Sequence, residues 1–147
     1  MGFFNAMNTS ASGLTAQRLR MDIISQNIAN VDTTKTETGS PYKRKAVLFQ
    51  ERKGITSFNS VYKNVMSEIN SSKGVRISKI VDDETPGPRV YDPAHPDADD
   101  EGYVTKPNVN IVEEMVNMIS ASRSYEAGVT AINSTKSMIA KTMEIGR

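Results

Sequence analysis

The sequence predicts a mainly α protein with a small β region, in which long N- and C-terminal helices pair in a coiled-coil-like manner around a short β-hairpin middle domain. Three observations predict it. Each end of the chain carries an apolar ladder at seven-residue spacing. The middle loses that period and collects most of the turn formers, Gly39, Pro41, Pro86, Gly87, Pro88, Pro93 and Pro96 among them. Short alternating stretches occur only there.

The first helix is expected from about residue 3 to 31. Met7, Leu14, Met21 and Ile28 recur at strict heptad intervals, with Ala11, Ile24 and Val31 on the same side. Its remaining positions are mostly Asn, Ser, Thr, Gln, Ala and Gly, and its only charges are Arg18, Arg20 and Asp22. A solvated surface helix normally carries more charge. Neutral amides and hydroxyls suit a helix enclosed by several neighbours, because they form hydrogen bonds there without burying unpaired charge.

In the middle, strands are expected at Tyr42–Gln50, Val75–Val81, Arg89–Tyr91 and Tyr103–Thr105. Residues 55–69 read equally as a short helix or a loop.

The last helix is the best punctuated. Ile111, Met118, Tyr125, Ile132 and Ile139 form one ladder, and Met115, Val129 and Met143 interleave with it. Asn110 with Glu113 three residues later resembles a capping box, and Pro107 lies just upstream. Positions 111 to 146 would span about 54 Å, too long to bury its seam on this middle region alone. It needs the first helix, other chains, or both. The units are therefore 1–36, 37–106 and 107–147. The subunit-packing residues are expected to be Met7, Leu14, Met21, Ile28, Ile111, Met115, Met118, Tyr125, Val129, Ile132 and Ile139.

Composition narrows the function. A chain of 147 residues with 37% hydrophobic and 6% aromatic content supports one modest domain, and its net charge of +1 gives no reason to expect nucleic acid. With no cysteine there is neither disulfide nor thiolate chemistry. Neither a signal-peptide pattern at the N-terminus nor a bilayer-spanning apolar run is present. The acidic tract Asp97–Gly102 mimics the first half of an EF-hand loop, but the twelfth position is Asn108 where a glutamate is required, so it reads as a solvated acidic turn. His95, the single histidine, has no nucleophile motif to serve. No catalytic residue, cofactor, metal or small-molecule substrate is expected. The basic segment Lys43–Lys45 with Arg52 and Lys53 is expected to pair with the acidic segment Asp82–Glu101, within one subunit or between neighbours.

Three tracts carry a resemblance. Ser25-Gln26-Asn27-Ile28-Ala29-Asn30-Val31-Asp32-Thr33-Thr34 resembles the signature shared by the bacterial flagellar rod and hook proteins. The longer insert before Pro41-Tyr42-Lys43-Arg44-Lys45, and the tract from Tyr91 to Val104, resemble the proximal-rod type within that family. Pro107-Asn108-Val109-Asn110-Ile111 with Ser122-Arg123-Ser124-Tyr125-Glu126 is similar to a motif spread across the family. The resemblance implies a structural subunit of the flagellar basal-body rod, on the periplasmic side of the inner membrane, that helps transmit torque. It also implies export by the flagellar type III apparatus without a cleaved signal peptide. Its partners would be copies of itself, sister rod subunits, and basal-body adapter and ring components. A soluble coiled-coil regulatory module that never polymerises is the competing reading of the same heptads.

Overall fold

A computed structural model describes residues 3–52 and 74–145. Helix α1 runs Phe3–Ala29 and helix α2 runs Ile111–Ile145. Between them lie strands β1 (Lys45–Glu51), β2 (Val75–Asp82), β3 (Arg89–Tyr91) and β4 (Tyr103–Thr105). The strands form two separate antiparallel pairs, β1 with β2 and β3 with β4. Segment 55–69 lies outside the described residues.

The end of α1 and the start of α2 each carry a side-chain cap. Asn30 closes α1: its side-chain amide and its backbone N–H both donate to the Gln26 carbonyl, at 2.8 and 3.1 Å. Asn110 caps α2, its Oδ1 accepting the N–H groups of Val112 at 3.0 Å and Glu113 at 3.4 Å. Between β1 and β2 the register shifts after Leu48, which pairs with Lys79 while Phe49 pairs with Ile77, so Ser78 is the bulged residue.

The helices lie antiparallel, with Asn27 beside Glu114 and Leu14 beside Gly128. A Cβ on Gly128 would stand 2.8 Å from a Leu14 methyl carbon, so the glycine is what lets the helices approach. The β1–β2 pair packs on another side of α1. Gly74, at φ +73°, brings the start of β2 so close to α1 that an added Cβ would collide with the Ser12 hydroxyl, and that hydroxyl accepts the Val75 N–H at 3.0 Å. The buried apolar residues among those described are Ala16, Ile23, Ile24, Val104, Pro107 and Ala121. On the helices they cluster toward the end of the pair nearest the strands.

The inner face of α2 uses only part of the apolar ladder read from the sequence, whose partner was left open between the first helix and other chains. Met118, Tyr125, Ile132 and Ile139 are partly covered and lie along the α1 side, but the positions interleaved with them are Glu114, Ala121, Gly128 and Thr135. Met115 and Met143, from the interleaved ladder, do not face α1 and are 54% and 72% exposed. Close packing selects small residues and one well-satisfied carboxylate in place of bulk. On α1, Met7, Leu14, Met21 and Ile28 are half-buried, while Ala16, Ile23 and Asn27 are more deeply covered because this helix is contacted from two directions.

Candidate functional site

The polar centre of the molecule is a network at the junction of α1, the segment entering β1, and α2. Asn27 is 1% exposed, and its side chain uses its full hydrogen-bonding capacity. Its amide donates to the Lys45 carbonyl and to Glu114 Oε2, both at 2.9 Å. Its oxygen accepts the Tyr42 hydroxyl and the Lys45 N–H, also at 2.9 Å. Glu114, equally buried, receives Arg44 Nε at 3.0 Å and Nη2 at 2.7 Å on Oε1. Arg44 is held in turn by its backbone N–H, which donates to Asn108 Oδ1 at 2.8 Å.

This arrangement solves the problem of a carboxylate inside a helix pair. A buried charge is tolerated only with a partner and with its remaining lone pairs satisfied, and Arg44 and Asn27 provide both. Burial works against the charged guanidinium of Arg44, but the hydrogen bond and charge of Glu114 outweigh it, with Glu113 and Asp83 adding, so its pKa rises. Tyr42 is raised above the ordinary tyrosine value, first by burial and then by the nearby charges of Asp82 and Glu114. Of the basic run, Arg44 forms its ion pair with Glu114 of α2, outside the acidic segment. Lys45 stands opposite Asp82 in the β1–β2 register, and the Asp83 N–H donates to the Arg44 carbonyl at 2.7 Å. Farther along the acidic segment the partners differ, Asp97 meeting Thr34 at 2.7 Å and Lys35 at 3.9 Å, and Asp99 meeting Arg89 at 3.0 Å.

The raised Tyr42 pKa gives a testable pH dependence. Because the folded state holds the phenol proton more tightly than the unfolded chain, this contribution is complete below about pH 10, the unfolded tyrosine value, and is lost as pH rises through the higher folded value. Tyr42→Phe is expected to remove that alkaline loss, at a cost near neutrality of about 0.5–1.5 kcal/mol for one hydrogen bond. Urea unfolding of both proteins from about pH 8 to about pH 11 checks it. Parallel curves with a constant offset would show that the phenol does not titrate against the fold.

A cleft of about 310 Å³ beside the network is lined by Arg20, Ile23, Val47, Phe49, Glu114 and Asn117, and Glu114 is already fully engaged. His95 Nδ1 accepts the Asp97 N–H at 3.1 Å, a turn contact. No cluster of three His, Cys, Asp or Glu side chains suited to a metal occurs among the described residues. No helix described is long and apolar enough to cross a membrane.

What remains is surface. Ile111 and Met115, named from sequence as packing residues, lie on an exposed apolar stretch with Val112, Val116 and Ile119, which are 70%, 62% and 53% exposed. Met118, Tyr125, Val129, Ile132 and Ile139 are only partly covered within the chain. The expected packing residues thus divide into those facing α1 and those facing outward. Glu114 and Arg44 hold the junction; Arg44 stood in the basic run and in one tract of the resemblance, but its partner was not legible there. Asn27 was visible as part of the Ser25–Thr34 signature, although the bonds it makes were not.

Two family models match the ends of the chain: the flagella basal body rod protein over residues 7–35, and the C-terminal part of the flagellar basal body rod FlgEFG proteins over residues 100–145. Whole-chain relatives include the flagellar basal-body rod protein FlgC of Bacillus subtilis, 50% identical over all of both chains. That of Borreliella burgdorferi is 48% identical over 99% of this chain and 98% of its own. That of Salmonella typhimurium is 35% identical over all of both. These relatives give no support to a regulatory module that does not polymerise.

Proposed function

The chain belongs to the FlgC family of flagellar basal-body rod proteins and is a structural subunit of the rod, and from that premise we propose that it builds the proximal rod by a division of labour between two sides of its helix pair. The inner side, closed by Asn27, Glu114 and Arg44, makes each subunit a unit of fixed shape. The outer sides of α1 and α2 are completed by neighbouring subunits, and torque passes through those contacts. The partners are copies of this chain, sister rod subunits, and the adapter and ring components around the rod base. Delivery is by the flagellar type III export apparatus. The working units are 1–36, 37–106 and 107–147, with no substrate, cofactor or metal.

The observation that carries this reading is the apolar run from Ile111 to Ile119, left in solvent on a helix whose opposite face is already used. Contiguous exposed apolar surface of this kind marks an interaction site. A rod-incorporation assay on a variant charged within that run tests the reading, provided folding is followed on the same protein.

A further inference from the structure

We infer that copies of this chain join side by side, the outer face of α2 on one copy against the outer face of α1 on the next, in one register set by the pairs Arg18–Glu126 and Asp22–Arg123. The inference rests on the reading of the chain as a rod subunit and names the partner of its exposed helix faces.

Outward positions of α1 alternate by three and four residues from Phe4 to Ala29, and every one is exposed. Its outward charges are Arg18 and Asp22, since Arg20 turns inward to Asn117 Oδ1 at 3.4 Å. Outward positions of α2 follow the same alternation from Val112 to Ser137 and are likewise exposed, with Arg123 and Glu126 near the centre. The ion pairs among the described residues are Lys35–Asp97, Arg44–Glu114, Arg89–Asp99 and Lys106–Asp32, so these four outward charges are unpaired there.

Copies pointing the same way along a common axis necessarily bring α2 of one against α1 of the next in antiparallel fashion. In that arrangement a single heptad register sets Arg18 beside Glu126 and Asp22 beside Arg123. The same register lays Ser25 and Ala29 beside Ile119 and Val116, small residues against large, as interdigitation requires. Sliding one heptad in one direction puts Arg18 and Asp22 against Ile119 and Val116. Sliding the other way puts Arg123 and Glu126 against Ala29 and Ser25 and carries Ile119 past the end of α1. Either shift buries charges without partners.

A two-fold contact of α2 with α2 could pair Arg123 with Glu126, but it would set Val116 and Ile119 against Asn133 and Thr130. The α2-to-α1 contact uses different surfaces on the two copies, so it propagates instead of closing at two. Its register lies about two to three residues beyond that of the intrachain pair, which displaces each copy by about 4 Å along the axis. The row therefore climbs as a helix.

The chain has no cysteine, so introduced pairs report cleanly. Full-length Ser25→Cys/Ile119→Cys is expressed in place of the wild type, and basal bodies are isolated and mildly oxidised. The two sites lie on outer faces of the same helix pair, so a disulfide can form only between chains. The expected result is a reductant-sensitive ladder extending beyond the dimer, absent from Ser25→Cys/Glu126→Cys, which is one heptad out of register. Asp22→Arg should lower incorporation by about tenfold or more, and Asp22→Arg/Arg123→Asp should restore it to within about threefold. An incorporated, motile cysteine variant that stays monomeric, or stops at dimer, overturns this interface while leaving the rod reading intact. Absence of the tagged wild-type chain from isolated basal bodies overturns the rod reading itself and this interface with it.

Discussion

Glu114→Ala is expected to destabilise the monomer by about 3–5 kcal/mol, the cost of stranding one partner of a buried ion pair. Arg44 would lose both bonds to Glu114 Oε1 and remain only partly exposed, and the Asn27 amide would lose one of its two acceptors. Small domains have about 5–15 kcal/mol in total, so the variant would be close to unfolding at growth temperature. Urea unfolding followed by helix content on the full chain measures the loss. Glu114→Gln, which keeps the shape and one hydrogen-bonding oxygen, should lose less. Replacing Glu114 and Arg44 together by methionine should recover much of the deficit, because neither charge is then left buried alone. A loss under about 1 kcal/mol for Glu114→Ala would mean that the pair behaves as an ordinary surface salt bridge and does not hold the helices.

Ile119→Asp is expected to leave the monomer almost unchanged yet reduce incorporation into the rod by about 100-fold, with motility lost accordingly. At 53% exposure, Ile119 contributes little to the isolated fold, and a substitution there should stay within about 0.5 kcal/mol. In the assembly the same position would bury a carboxylate against a neighbour without a partner. A penalty of about 2.7 kcal/mol suffices for a 100-fold loss. Thermal unfolding of the purified variant, beside the rod content of cells expressing it, separates the two effects. Ile132→Asp provides the contrast: Ile132 is partly covered on the α1 side, so a charge there should weaken the monomer as well. Normal incorporation of Ile119→Asp would remove the outer stripe from the assembly surface.

Most of the architecture was legible because it rests on periodicity and punctuation. The Asn110 cap and the upstream Pro107 placed the start of α2, and the short alternating stretches placed β3 and β4 at their observed bounds. The inner helix seam was less legible for a physical reason. Counting apolar residues rewards Met115 and Met143, whereas close approach of two backbones selects Gly128 and Ala121, which such a count passes over. Glu114 was hidden more thoroughly, since a glutamate in a first helical turn ordinarily reads as a solvated partner of the helix dipole. Its burial depends on Arg44, seventy positions earlier in the chain, and on Asn27, eighty-seven earlier. Pairing at that distance leaves no local pattern. The basic run showed the same limit: its charge was evident, but its partner was set by tertiary geometry.

Hydroxyl-radical footprinting of the dilute monomer and of isolated rods, read residue by residue by mass spectrometry, tests most directly whether neighbours complete the outer faces of the helix pair. Val112, Val116 and Ile119, open in the monomer, are expected to become protected on assembly, while Ala121, already sealed inside the chain, changes little. Equal labelling of Val116 and Ile119 in the monomer and in the rod would contradict it.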